Sequence, residues 1–189
     1  MSTSHFPSMR FAAAVGLLGL ANGCGRPPPQ TAGEAAAVIP SQVSTDLTGY
    51  DIRRIRPQKT PLAEGFQHMR EAAVGDKRRV AVLFSADWCQ ACRRLELEFG
   101  SMHAPGVIDD VRILEFVEED WEAATRMDEV HELRRRWYPR FDNYPVMILL
   151  DANGDKIEEM EEAIARLKAA QLEPSMANWF VSARDQLGA

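Results

Sequence analysis

The run Val80-Ala81-Val82-Leu83-Phe84-Ser85-Ala86-Asp87-Trp88-Cys89-Gln90-Ala91-Cys92 decides the reading of this chain. Val80–Phe84 is continuously apolar, as expected of a strand buried on both faces. Two cysteines three residues apart follow where the strand gives way to a helix. That helix is predicted over Ala91–Gly100, with Cys92, Leu95 and Phe99 on one face. A pair so placed can close a small, reversible disulfide, which is redox chemistry in four residues.

The pattern continues on both sides. Thr60-Pro61 reads as a helix cap with Pro in the first turn. Leu62, Phe66, Met69 and Ala73 then mark one helical face, which Gly75-Asp76 ends. Pro105 interrupts the chain, and Val107-Ile108 is predicted to begin a short helical turn. Val111–Val117 reads as the next strand. One long helix is predicted from Trp121 to Trp137, its apolar side marked by Ala123, Met127, Val130, Leu133 and Trp137. Val146–Leu150 and Lys156–Glu159 flank Asp151-Ala152-Asn153-Gly154-Asp155, a hairpin turn in which Asn-Gly accepts positive φ. Two helical patterns finish the chain: Met160, Ala163, Ile164, Leu167, then Met176, Trp179, Phe180, Ala183, Leu187. A βαβ unit followed by an antiparallel pair implies an α/β fold, a mixed central β-sheet with helices on both faces.

The N-terminus has a different character. Arg10 precedes Phe11–Leu20, a short apolar run with the pattern of a secretory signal rather than a membrane span. Leu20-Ala21-Asn22-Gly23-Cys24 resembles a bacterial lipobox, with Ala21 where that pattern prefers Leu. The resemblance implies that residues 1–23 are removed and that Cys24 carries lipid. Gly25 in place of Asp points to the outer membrane under the sorting rule for such proteins. Residues 24–59 hold Pro27-Pro28-Pro29 and no sustained apolar period, so they read as a flexible tether. Arg53, Arg54, Arg56 and Lys59 within it read as a solvated stretch or as a contact with anionic headgroups. The domain proper is expected over residues 60–189.

Composition narrows the function. Acidic residues outnumber basic ones 28 to 22, which argues against nucleic acid as a partner. The chain has 3 cysteines. With Cys24 assigned to lipid, Cys89 and Cys92 remain as one pair in a compartment where disulfides persist. A zinc site needs more ligands than this pair provides, and His68, His103 and His131 show no paired spacing. No metal or cofactor is expected.

Ser85–Cys92 resembles the active-site segment of the thioredoxin superfamily. It is most similar to the C-terminal domain of periplasmic thiol:disulfide interchange reductases and to related small lipoproteins. Tyr144-Pro145 ahead of an apolar strand and an Asn-Gly hairpin resembles that family's cis-proline segment. The likeness covers roughly Thr60 to the C-terminus and implies a thioredoxin-like fold.

The helix N-terminus favours a thiolate at Cys89, and a thiolate is the attacking form. The resemblance makes Cys89 the nucleophile and Cys92 the resolving thiol. Trp88 reads as an apolar shield beside the pair, as core packing, or as both. Asp87 reads as solvated or as tuning the thiol. The resemblance implies a cis Pro145 and a Tyr144 backbone that pairs with the substrate chain. Tyr144 is bulky for that place and is expected to narrow the partners. Leu83 stands where many thioredoxins carry a buried acid, which leaves water, Asp87 or Glu96 to move the proton at Cys92.

The resulting expectation is a lipid-tethered periplasmic thiol:disulfide oxidoreductase. Its partners are protein thiols, oxidised or reduced, with a membrane thiol reductase as electron donor. A dedicated assembly factor for a haem or copper protein and a disulfide oxidase or isomerase are the alternatives.

Overall fold

The computed structural model describes residues 47–140 and 143–187. The expected signal segment, Cys24 and the first part of the tether lie outside the described residues.

Eleven elements follow one another among the described residues. They are β1 (Asp51–Arg54), α1 (Leu62–Gly75), β2 (Arg79–Ser85), α2 (Gln90–Phe99), β3 (Val111–Val117) and α3 (Glu118–Ala123). After these come α4 (Met127–Arg135), β4 (Val146–Leu150), β5 (Lys156–Glu159), α5 (Met160–Ala169) and α6 (Met176–Leu187). The strands form one sheet in the order β1-β3-β2-β4-β5. β1 and β2 run parallel to β3, whereas β4 is antiparallel to β2 and to β5.

Strand alternation divides the core in two. Val80, Val82 and Phe84 of β2 join Leu114, Phe116, Ile148 and Leu150 on one face, beneath α1, α3 and α4. Ala81 and Leu83 join Ile113, Met147 and Leu149 on the other, beneath α2, α5 and α6. Each layer contains a fully buried tryptophan, Trp121 and Trp179, at 1 % and 0 % exposure. At about 25 cal/mol per Å² and roughly 200 Å² of side chain, each contributes about 5 kcal/mol of gross burial. Among the described residues no helix is long and apolar enough to cross a membrane.

Four local expectations are corrected. First, the sheet begins at Asp51, inside the stretch read as a tether. β1 pairs with β3, the Ile55 amide donates to the Glu115 carbonyl at 2.7 Å, and Trp121 Nε1 donates to the Ile55 carbonyl at 3.1 Å. Its arginines hid it. Arg53 pairs with Asp51, while Arg54 and Arg56 pair with Asp120, so the charges line an edge strand and lack the apolar signature of a central one.

Second, the single helix from Trp121 to Trp137 is two. Thr125 takes φ +56°, and the break separates α3 from α4. The break brings Trp121, Val130 and Leu133 into the same core layer while Ala123 faces solvent. Third, α1 is capped from a distance: the Leu62 amide donates to Glu129 Oε2 at 2.7 Å, and Thr60 makes no cap. Fourth, Val107-Ile108 is a bend between two turns and begins no helix.

Candidate active site

β2, the central strand, ends at Ser85, and the Cys89 amide closes the following turn on the Ala86 carbonyl at 3.1 Å. Cys89 is then the N-cap of α2, in extended geometry with φ −80° and ψ 114°. Its sulfur takes the acceptor role that a Ser or Asp side chain usually fills there. The Cys92 amide donates to Cys89 Sγ at 3.2 Å, and Sγ donates to the Tyr144 carbonyl at 3.5 Å. Two main-chain groups, one from each flank, therefore meet at the same sulfur.

Cys92 lies one turn into the helix and faces inward, as the spacing predicts. It is 2 % exposed against 6 % for Cys89, and both are free thiols. Burial pushes the Cys92 thiol up to about 12, with further contributions from its hydrogen-bonding to Cys89 and from the Glu96 charge. Ala86, Ala91 and Tyr144 pack around them.

A cis peptide joins Tyr144 of this cluster to Pro145. Trp88 is 62 % exposed, and its ring meets Tyr144 edge-on with centroids 5.8 Å apart. Trp88 therefore stands as a wall beside Cys89 and is not core packing. Burial, together with the Glu118 carboxylate beside it, raises the Tyr144 phenol above the ordinary tyrosine range.

Leu83 is buried and carries no charge, as its identity dictates. An acid nevertheless stands next to it. Glu115 of β3 is in register with Leu83, is partly buried, and accepts from Ser85 Oγ at 2.9 Å. Burial raises its carboxyl above the usual range. Sequence reasoning missed Glu115, although an acid inside the apolar run Val111–Val117 was the available signal. Asp87 is exposed and sits 3.9 Å from Arg54, while its amide donates to both Glu119 carboxylate oxygens at 3.0 Å. Arg93 donates to the Asp87 carbonyl at 3.0 Å, so it closes the active-site loop. Among the described residues no three His, Cys, Asp or Glu side chains gather to hold a metal ion.

The arrangement can carry out two-step sulfur exchange. A thiol at a helix start can attack a disulfide, and a second thiol behind it can displace the product. Comparison with known proteins bears on the fold around it. A family model described as a thioredoxin-like domain matches residues 66–172. No curated protein matches the chain. Among solved structures, the disulphide isomerase from Xylella fastidiosa Temecula1 is 14 % identical at a TM-score of 0.47, covering 69 % of this chain and 96 % of that one. The C-terminal domain of DsbD from Neisseria meningitidis, in the oxidised form, is 17 % identical at 0.37, covering 51 % and 80 %. A poplar thioredoxin h is 16 % identical at 0.35, covering 58 % and 81 %.

Proposed function

The chain belongs to the thioredoxin-like domain family, and from that premise we propose that it reduces protein disulfides through Cys89 and Cys92. The observation that carries this reading is the sulfur of Cys89 at the N-cap of α2, between the Cys92 amide and the Tyr144 carbonyl.

In the first step the Cys89 thiolate attacks one sulfur of a substrate disulfide. A Cys89–substrate disulfide forms, and the other substrate sulfur leaves as a thiolate that takes a proton. Cys92 then loses its proton and attacks Cys89 Sγ. The substrate's second sulfur leaves, and Cys89 and Cys92 end as a disulfide. Two electrons pass to the substrate. The high pKa of Cys92 keeps it protonated until a base acts on it. Glu96, whose charge acts on the Cys92 thiol, and Glu115 beside Leu83 are the carboxyl groups proposed to take that proton through water. A membrane thiol reductase returns the two electrons to the pair.

The N-terminal sequence supports the setting: a signal over 1–23, lipid on Cys24, and a periplasmic domain held to a bacterial membrane. The purified mature protein in an insulin-reduction assay tests the chemistry. Turnover that disappears in Cys89→Ser supports it, and equal rates in the two proteins overturn it. The reduction potential tests the direction. A value near about −270 mV supports a reductase, and one in the range of roughly −180 to −120 mV points to an oxidase or isomerase.

A second reading has its own observation. The exposed Trp88 wall against the bulky Tyr144 restricts what lies beside Cys89 and favours a dedicated partner, such as a haem or copper apoprotein awaiting reduced thiols. A Cys92→Ser trap separates the two: one dominant mixed disulfide favours the dedicated role, many favour a general reductase.

A further inference from the structure

Behind the cis turn lies a buried cation. Arg134, in the last turn of α4, is 1 % exposed. Its guanidinium carbon lies 5.3 Å from the Tyr138 ring centroid and 5.2 Å from that of Tyr144. Its Nη2 donates to the carbonyls of Arg140 at 3.3 Å and Asn143 at 3.4 Å. Tyr138 adds a bond from its hydroxyl to Asn143 Oδ1 at 3.4 Å. The guanidinium thus joins α4 to the chain that enters Tyr144-Pro145. Trp88 meets the same Tyr144 ring edge-on, and the Tyr144 carbonyl receives the Cys89 thiol.

Stability alone is a poor account of this residue. Removing a guanidinium from water is costly, and an apolar side chain of similar volume is often at least as stable in such a place. Methionine would fill the space. It would not hold two carbonyls, nor present a flat cation between two aromatic rings.

We propose that Arg134 is a positioning residue for disulfide exchange. By clasping the Tyr144 ring and the Asn143 carbonyl, it holds the Tyr144 backbone where a polypeptide substrate is received beside Cys89. This rests on the oxidoreductase reading above. The recognised substrate is consequently an extended chain flanking a disulfide, and a small disulfide gains nothing from Arg134.

The test compares Arg134→Lys and Arg134→Met with the wild-type protein on two substrates, insulin and the small hydroxyethyl disulfide. In both variants KM for insulin is expected to rise on the order of tenfold, the size of one charge-assisted hydrogen bond. Turnover of the small disulfide is expected to stay within about twofold, because only substrate positioning is lost. A fall in kcat shared equally by both substrates, or unchanged insulin kinetics, overturns the proposal. Should Arg134→Met fail to fold, a cycle of Arg134→Lys with Tyr144→Leu decides. Non-additive effects on insulin KM support action through Tyr144, and additive effects overturn it. A wild-type protein that turns over neither substrate fails at the oxidoreductase reading, and this inference falls with it.

Discussion

Strand β4 begins and ends in a turn, and the two turns are built on opposite plans. The turn after Leu150 closes through its own main chain, and two outside side chains cap its carbonyls: Arg70 Nη1 donates to Ala152 and Trp137 Nε1 donates to Gly154 at 2.9 Å. The Asp151 amide donates to the Asp155 carbonyl at 2.9 Å. Asp151 Oδ1 accepts from the amides of Asn153 and Asp155 at 2.9 and 2.8 Å. Gly154 supplies the positive φ of 92°. The turn before Val146 meets the Cys89 thiol and the Trp88 ring from the segment that follows the sheet's central strand, and the Arg134 guanidinium from α4. Outside side chains reach both turns, but those at the hairpin bind its carbonyls as plain donors, whereas the Tyr144 carbonyl meets the Cys89 thiol. The end of β4 proposed as reactive is the open one, whose Tyr144 carbonyl meets a thiol.

The sharpest way to break this contrast is to remove the sulfur that the open turn faces. Cys89→Ser is expected to drop disulfide reduction to background in an insulin assay. Its thermal midpoint should stay close to wild type, since serine also caps a helix well.

The next largest effect is one of pH. The Cys92 thiol is raised from its ordinary 9.0 to about 12 in the folded protein, so between those values the native state holds a proton that the unfolded chain has released. Stability is therefore expected to fall as pH rises from about 9 to about 12. Urea unfolding across that window checks it against Cys92→Ala, which should lack this part of the slope. Identical slopes in the two proteins would contradict the assigned burial effect.

The closed turn should respond in stability alone. Gly154→Val places a Cβ 3.2 Å from Arg70 Cδ in a backbone region that branched residues avoid. A loss of about 1–3 kcal/mol is expected from chemical denaturation. Insulin reduction per folded molecule should be unchanged, and an equal loss of activity would erase the distinction between the two turns. The smallest effect belongs to Asp151→Ala. It removes two exposed amide bonds and should lower stability by about 1 kcal/mol, read from the shift in denaturation midpoint.

The same contrast explains how much could be read in the residues beforehand. Val80–Phe84, Val111–Val117 and Val146–Leu150 are apolar runs whose strands form within a residue or so of the expected places. The Asn-Gly hairpin was legible because the bonds that set its turn join residues within five positions, although Arg70 and Trp137 also reach it. β1 was not legible. An edge strand pairs through its backbone alone, and Arg53, Arg54 and Arg56 remain compatible with that pairing. Thr125 gave no warning of the α3–α4 break, since neither Gly nor Pro stands there. Glu115 escaped notice for a related reason. Its importance comes from standing in register with Leu83, on a strand 32 residues further along.

Residue identity and spacing determined by themselves that this chain builds an α/β sheet and sets two cysteines at a strand-to-helix junction. Those features depend on periodicity and on neighbours within a few positions. Only the tertiary structure decided which carbonyl Cys89 meets, that Glu115 lies beside Leu83, and that a buried Arg134 backs the turn before β4. Each depends on strand register or on the packing of helices far apart in the chain, and a one-dimensional pattern does not encode that geometry locally.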